Sequence, residues 1–376
     1  MRKTLFSVLP LVVFLGPISG RLPLLFGVGV VPAAVERAEA SARNSRRANP
    51  AAARVRDRVA EARRALEKVP AGGLDSVTLA AGEAKGGLHL VTLAKEDFLE
   101  KGAEISAVSL QGEPLKVTVV RPNYVNTAVR VTDAAGRELE PLAVRYPVER
   151  DGKLKEVAYY TSAHPAVESA AVSRAGGEYI REGLDAAAAR LASKGIRVSP
   201  EIIDAAERLC HVEHADHKRF MTEDSAALFN EVRALYALNA GDTYRYSVSS
   251  AGAGGMVQMI PPTYKGVREQ HPRVGLKEDF VEGMRDHSNA LQAMLLYMQD
   301  TWDVLLKSEE VKAALRDRIA TQPELLAAGY NSNPYKLPKY IARGGSAWRT
   351  LIPEETKMYL RIYAAVERTL EFKDRS

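Results

Sequence analysis

The chain has 376 residues, of which 46% are hydrophobic and 26% are charged, with 27 Gly, 19 Pro and one Cys. This is the composition of an ordinary globular protein, and it excludes collagen, coiled-coil and wholly disordered classes. The length suggests about two domains, each large enough to bury a core without disulfides or metals. The single cysteine, Cys210, cannot form an intramolecular disulfide. The net charge of +5 suits an acidic polymer, and it is too small to predict a nucleic-acid partner.

The first residues have the layout of an export signal. Two basic residues precede an apolar run over 5–18, and a small-residue cleavage pattern ends at Ala40. A second apolar stretch, 22–35, is interrupted by Pro, which disfavours a membrane-spanning helix. We therefore predict that 1–40 is a signal peptide or N-terminal anchor, cleavage being preferred to an uncleaved anchor or a misplaced start codon. The predicted location is the periplasm or cell envelope.

The next segments predict a linker and then a β domain. Residues 41–73 are rich in Ala and Arg, and we predict a basic linker that becomes helical after Pro50. Five β-rich runs follow, at 88–93, 115–120, 128–132, 142–148 and 154–160. Turn signals at 133–136 and at the Asp-Gly pair 151–152 favour antiparallel hairpins. We predict a small antiparallel β domain over 74–163 that carries no catalytic motif and serves in positioning or binding, with a cell-envelope protein as one candidate partner.

The pattern over 164–376 is helical. Ser199 followed by Pro200 is a helix start, and that helix should end near Glu213. Other helices are predicted at 177–194, 289–307 and 353–372. The predicted fold class is therefore α+β, with a mainly helical domain behind the small β domain.

The most informative segment is 246–263, which reads Tyr-Ser-Val-Ser-Ser-Ala-Gly-Ala-Gly-Gly-Met-Val-Gln-Met-Ile-Pro-Pro-Thr. Its small residues allow the backbone to approach a ligand closely, and Gln258 can hydrogen-bond a substrate amide or hydroxyl. The order of residues resembles the signature of the soluble lytic transglycosylases, a family of peptidoglycan enzymes. The matching residues are Ser249, Gly252, Ala253, Gly255, Gln258, Pro261 and Thr263.

Two later blocks occur in the order expected for the same family. Tyr330 and Asn331 end a segment that resembles its Ala-Tyr-Asn motif, and 355–359, Glu-Thr-Lys-Met-Tyr, resembles its Glu-Thr-x-x-Tyr segment. The segment 289–297 resembles the Asn-led helix of the family. The resemblance covers 196–372, excludes the β domain and implies a lysozyme-like fold for the helical part.

The resemblance implies a catalytic Glu at the end of the first helix of that fold. The spacing usual in the family points to Ala240, which carries no acid, so an insertion must separate the acid from the signature. Glu213, 36 residues before Ser249, ends the helix that opens at Ser199 and is the preferred candidate. Glu231 is the rival, although the apolar residues beyond it indicate a mid-helix surface acid. A chain in which neither Glu is the acid is the remaining alternative.

The implied reaction is cleavage of the β-1,4 bond between N-acetylmuramic acid and N-acetylglucosamine in peptidoglycan glycan strands. A carboxylic acid must protonate the leaving oxygen, so a partly apolar cleft must raise its pKa. By resemblance, the acetamido group of the substrate assists and the same Glu then acts as base on the 6-hydroxyl, which forms a 1,6-anhydro end without a second carboxylate. Tyr330 would orient Glu213 or stabilise charge. The implied substrate-binding residues are Ser249, Gln258, Tyr330, Asn331 and Glu355, with local capping or turn hydrogen bonds as their alternative role.

Three other functions fit parts of the sequence. A hydrolytic goose-type muramidase would need a second acid such as Asp242. A non-catalytic wall-binding protein is suggested by departures from the family pattern, such as Val257 where the family has Met. A zinc site could use Cys210, His214 and His217, which lie within about 60° of one another on a helix. The preferred function predicts no cofactor and no metal.

Overall fold

The structure, a computed structural model, describes residues 49–70 and 72–375. The fold is mixed α and β, with an antiparallel sheet. The predicted signal peptide or anchor at 1–40 lies outside the described residues. Within 49–70 and 72–375, no helix combines the length and the apolar character needed to cross a bilayer.

Seven strands form one antiparallel sheet in the order β2-β1-β6-β5-β4-β3, with β7 paired to β6. The strands are β1 (Ser76–Gly82), β2 (Leu88–Ala94), β3 (Glu104–Val108), β4 (Pro114–Arg121), β5 (Ala128–Asp133), β6 (Glu138–Arg150) and β7 (Lys153–Tyr160). All five predicted runs are strands, whereas β1 and β3 escaped prediction. β1 is buried at six of its seven positions, so it lacks the alternation that marks a half-buried strand.

Both predicted turns are confirmed. Asp151 and Gly152 have φ of 55° and 70°, the left-handed pair that a two-residue hairpin of type I′ requires. In the β5–β6 turn, the Asp133 carboxylate accepts hydrogen bonds from the backbone amides of Ala135 and Arg137, at 2.9 and 2.8 Å. These contacts are local in sequence, which is why the residue pattern could predict them.

The helices are α1 (Pro50–Glu67), α2 (Lys95–Phe98), α3 (Ala170–Ser193), α4 (Pro200–Val212), α5 (His217–Thr222), α6 (Ser225–Leu238), α7 (Pro261–Gln270), α8 (Phe280–Arg285), α9 (His287–Leu305), α10 (Glu309–Arg316), α11 (Gln322–Asn331), α12 (Leu337–Gly344) and α13 (Glu354–Thr369). The predicted helices correspond to α3, α4, α9 and α13. α3 begins earlier than predicted, since Ser169 caps it through a hydrogen bond from the Val172 amide. Ser199 is the N-cap residue of α4 as predicted, although its side chain makes no capping bond to the backbone.

α1 is packed against the body of the protein. Its buried residues are Ala52, Val59, Ala62 and Leu66. They face β1, β6 and α3, and the Arg63 guanidinium donates to the Asn239 side chain at 2.9 Å. The helix predicted after Pro50 is therefore present, and its description as a linker is corrected, because these four residues give α1 a narrow apolar face that packs on the sheet.

The sheet and the helices share one hydrophobic core. Asn239, fully buried at the end of α6, bridges them through two hydrogen bonds to the backbone of Thr161, at 2.7 and 2.8 Å. An ionic link lies beside it, where Glu231 of α6 accepts from Arg121 of β4 at 2.6 Å and from Arg219 of α5 at 2.7 Å. The residues on both sides of position 163, the predicted boundary between the β domain and the helical domain, therefore pack into the same core.

The end of the described chain is held against α4. The guanidinium of Arg375 is 9% exposed and contacts Asp185, Asp204 and Glu207 at 2.6, 2.7 and 2.6 Å. Two of these acids lie on α4 and are themselves buried. The positive charge of Arg375 thus compensates two buried carboxylates on α4, the helix that ends at Glu213.

Candidate active site

Glu213 is the residue that terminates α4. Residues 202–212 are all buried, because α4 runs through the centre of the helical part and packs on α3, α9, α11 and α13. The carboxylate of Glu213 accepts a hydrogen bond from the Tyr359 hydroxyl of α13 at 2.5 Å. Glu213 as a whole residue is half-buried, unlike the fully buried residues before it in α4.

The surroundings of Glu213 favour its protonated form. Burial raises the pKa of Glu213 from 4.5 to about 8. The Tyr359 hydroxyl opposes this rise in pKa because its hydrogen bond favours the charged form, while the negative charge of Glu355 adds to it. The carboxyl group is therefore mostly protonated at neutral pH, as a general acid must be.

Tyr330 lies beside Glu213 at the end of α11. Burial raises the pKa of Tyr330, and the neighbouring Glu213 carboxylate is the next cause, which shows that the two groups are close. The Tyr330 hydroxyl donates to the Val257 carbonyl at 2.6 Å, and its ring packs edge-on against Tyr297 at 5.6 Å between centroids. Tyr330 thereby ties α11 to the signature loop, residues 246–260.

The signature loop is held by its own side chains. Gln258 has a left-handed backbone, with φ of 45°, and its amide nitrogen donates to the Gly255 carbonyl at 2.9 Å and to the Ser247 hydroxyl at 3.3 Å. Its amide oxygen makes no hydrogen bond to the described residues, so it remains available to a ligand. Gly255 has φ of 68°, and a Cβ there would lie 2.4 Å from the Met284 carbonyl oxygen. The glycine is required because α8 approaches the loop backbone so closely.

Ser249 is exposed and serves the turn itself. Its hydroxyl accepts from the Ala253 amide at 3.1 Å, and its own amide donates to the Ala253 carbonyl at 2.9 Å. This is the local hydrogen-bonding role that stood as the alternative to sugar binding. Asn331 is half-buried at the end of α11 and makes no side-chain hydrogen bond to the described residues. Glu355 is exposed in the first turn of α13, one helical turn before Tyr359 and on the same side of the helix.

The structure places two further residues, His214 and Tyr359, next to Glu213. The sequence analysis had given neither of them a role at this position. His214 follows Glu213, stacks on Tyr244 with 3.4 Å between ring centroids, and bonds to the Met256 carbonyl at 3.0 Å. Burial lowers the pKa of His214 to about 3, so the ring is neutral and its Nε2–H is the donor. Tyr359, the other residue, is the last residue of the segment 355–359, in which only Glu355 had been assigned a role. His214 had been considered as a zinc ligand, and its position next to Glu213 was the available signal.

Glu231, the rival candidate for the catalytic acid, has a lowered pKa, whereas the pKa of Glu213 is raised. Burial favours a higher pKa, but hydrogen bonds from Arg219 and Arg121 outweigh it and lower the pKa of Glu231. The side chain is only 17% exposed, so the interpretation as a surface acid is corrected. Glu231 is ionised at neutral pH and unsuited to protonate a leaving group.

Asp242 and Cys210, the residues that the hydrolytic and zinc alternatives would use, lie in other environments. Asp242 lies 3.3 Å from Arg245 and 3.8 Å from Arg63, and it is not among the charges that affect Glu213. Cys210 is buried, and burial raises the pKa of its thiol, so the thiolate that zinc would need is disfavoured. Across 49–70 and 72–375, no three His, Cys, Asp or Glu side chains converge as a metal site would require.

No protein-family model, curated protein or solved structure matches this chain. The family resemblance therefore rests on the ordered sequence blocks, and the functional argument rests on the geometry around Glu213.

Proposed function

We propose that the chain is an exported peptidoglycan lytic transglycosylase with a lysozyme-like helical domain, in which Glu213 acts first as acid and then as base. The observation that carries the proposal is the raised pKa of the Glu213 carboxyl, which stands at the end of a buried helix in a hydrogen bond with Tyr359. Tyr330 lies beside the same carboxyl and is bonded to the loop that contains Gln258. One acid with such surroundings is sufficient when the substrate supplies the nucleophile.

The proposed reaction proceeds in two proton transfers through Glu213. Glu213 gives its proton to the glycosidic oxygen while the acetamido oxygen of the muramic sugar attacks the anomeric carbon and the leaving sugar departs. The carboxylate, now charged, accepts the hydrogen bond from Tyr359. It then removes the proton of the 6-hydroxyl, whose oxygen displaces the acetamido oxygen and closes the 1,6-anhydro ring. Glu213 ends protonated, ready for another turnover.

Hydrolysis is the second candidate, and one observation favours it. Glu355 is near enough to Glu213 to raise its pKa, so the site holds a second carboxylate. In a hydrolytic reaction Glu355 would activate water, whereas in the preferred reaction it binds sugar. Asp242, the acid that the sequence suggested for this role, is engaged by arginines.

Mass spectrometry of digested peptidoglycan distinguishes these reactions. We expect muropeptides with 1,6-anhydro ends from the purified full chain. Reducing ends in their place would show hydrolysis. No release of fragments, together with binding to the glycan, would show a wall-binding protein and contradict the proposal.

Tyr359→Phe is expected to lower kcat about tenfold, the effect of losing one hydrogen bond of roughly 1.4 kcal/mol. It should also shift the alkaline limb of the pH profile of kcat/KM to higher pH, because the lost hydrogen bond had kept the pKa of Glu213 from rising further. Tyr363→Phe, one turn further along α13, is the control and should alter neither quantity. A fall in kcat with an unchanged alkaline limb would contradict a direct action of Tyr359 on Glu213.

A further inference from the structure

An unpaired cationic surface with an aromatic residue at its head runs along α12. This α12 stripe consists of Tyr335, Lys336, Lys339 and Arg343. Tyr335 and Lys336 lie in the short turn before α12, whereas Lys339 and Arg343 lie about 40° apart on α12 itself. Both helix cations lie opposite Leu337 and Ile341, which are buried in the C-terminal hydrophobic cluster. Tyr335 is 60% exposed, and the three cations are exposed as well. Within the described parts of the chain, none of these cations has a carboxylate partner within ion-pair distance.

The α12 stripe begins at the candidate active site. Tyr335 belongs to the short turn Pro334–Lys336, which the Asn333 side chain fixes by accepting from the Tyr335 amide at 2.9 Å. Burial raises the pKa of Tyr297 to about 12, and the neighbouring Tyr335 hydroxyl adds to the rise, so these two residues are near each other. Tyr297 packs on Tyr330, which borders Glu213. Tyr335, and with it one end of the stripe, is thus linked to Glu213 through Tyr297 and Tyr330.

The chemistry of the stripe indicates its ligand. An exposed aromatic ring beside a polar cleft offers an apolar face on which a sugar ring can stack, and unpaired cations attract carboxylates. A peptidoglycan strand presents both groups together, because its muramic sugars bear short peptides with free carboxylates.

We propose that the α12 stripe binds the peptide-bearing part of the glycan strand: Tyr335 stacks on a sugar ring, and the three cations hold the carboxylates of the attached peptide. This inference rests on the proposed function for the identity of the polymer. It adds a preference for peptide-substituted strands over bare ones.

The test measures binding by the full chain carrying Glu213→Gln, which cannot cleave the probe if Glu213 is the acid. The probes are fluorescently labelled glycan strands with their peptides and the same strands after an amidase has removed the peptides. The triple variant K336Q/K339Q/R343Q should raise the Kd for peptide-bearing strands about tenfold, because three exposed ion pairs that are individually weak are lost together, and leave the Kd for bare strands unchanged. Tyr335→Ala should weaken binding to both probes.

The hairpin between β6 and β7 provides a matched control. R150Q/K153Q/K155Q removes three exposed cations, the same net charge, from a different surface, and it should leave both Kd values unchanged. Equal losses in the two triple variants, or no loss in the stripe variant, would overturn the proposal. Product analysis separates it from the proposed function: anhydro ends without a peptide preference refute only the stripe, whereas a peptide preference without cleavage refutes only the transglycosylase.

Discussion

Replacing Glu213 by Gln is expected to lower activity on peptidoglycan by about 10³-fold or more while it stabilises the folded protein. The loss follows from removal of the proton donor and base, since general acid–base groups contribute factors of about 10²–10⁴ each. The gain in stability follows from burial, which makes the folded state hold a proton that the unfolded chain would release. An uncharged amide avoids that cost, and near pH 7 the free energy of unfolding should rise by about 3 kcal/mol.

The gain should depend on pH in a defined direction. The pKa of Glu213 is raised from 4.5 to about 8 on folding, so wild-type stability falls relative to that of the Gln variant as pH rises through this interval. The difference should be absent at acidic pH and constant above the folded pKa. Denaturant unfolding at several pH values measures it, and Glu354→Gln, which alters an exposed acid of α13, is the control for both activity and stability. Full activity in Glu213→Gln would show that the acid is another residue.

Replacing Glu231 by Gln is expected to destabilise the protein by about 3 kcal/mol, because it leaves two partly buried arginines without their shared carboxylate. Glu231 is clamped by Arg121 and Arg219, so the change should loosen the junction between the sheet and the segment that follows Glu213. The activity of the molecules that remain folded should be retained. Thermal unfolding together with activity per folded molecule measures both effects.

The stabilisation by Glu231 also has a pH dependence. The pKa of Glu231 is lowered on folding, so its contribution is complete above the ordinary value of 4.5 and is lost as pH falls through the folded value. The difference in stability between wild type and Glu231→Gln should therefore shrink in acid. Glu223→Gln removes a more exposed partner of Arg219, 45% exposed, and should cost less than about 1 kcal/mol. A stable Glu231→Gln variant without activity would restore Glu231 as the acid.

Local features of the sequence predicted much of the fold. Pro200 at the first helical position placed the start of α4, and the Asp151-Gly152 pair placed a hairpin with left-handed backbone. β3 has five residues, too few for a clear alternation, and it was missed. The packing of α1 also escaped, because only four of its residues are buried and two of them are Ala, which adds little to a hydrophobic pattern.

Residues of the candidate site could be predicted only where their position is set by the local sequence of the helix or loop that carries them. Glu213 could be chosen because it ends a helix that the sequence delimits, and Tyr330 because it lies in a motif block. The hydrogen bond from Tyr359 to Glu213 joins residues 146 apart, and the bonds from Arg121 to Glu231 span 110 residues. No periodicity or turn signal encodes such pairs, since they arise only when distant elements pack together. Ser249 differs from these pairs, because its hydroxyl accepts from the Ala253 amide four residues away, the local role that the sequence analysis had left open beside sugar binding.

The contact between Glu213 and Tyr359 also bears on the order in which the chain acquires function. Synthesis runs from the N-terminus, so the sheet and α4 leave the ribosome long before α13 does. Contacts this distant in sequence form late in folding, after loop closure has been achieved. Until α13 docks, Glu213 lacks the burial that raises its pKa and remains an ordinary ionised carboxylate at neutral pH. The raised pKa of Glu213 is therefore a property of the complete tertiary structure, and an unfinished or unfolded chain carries the residue without it.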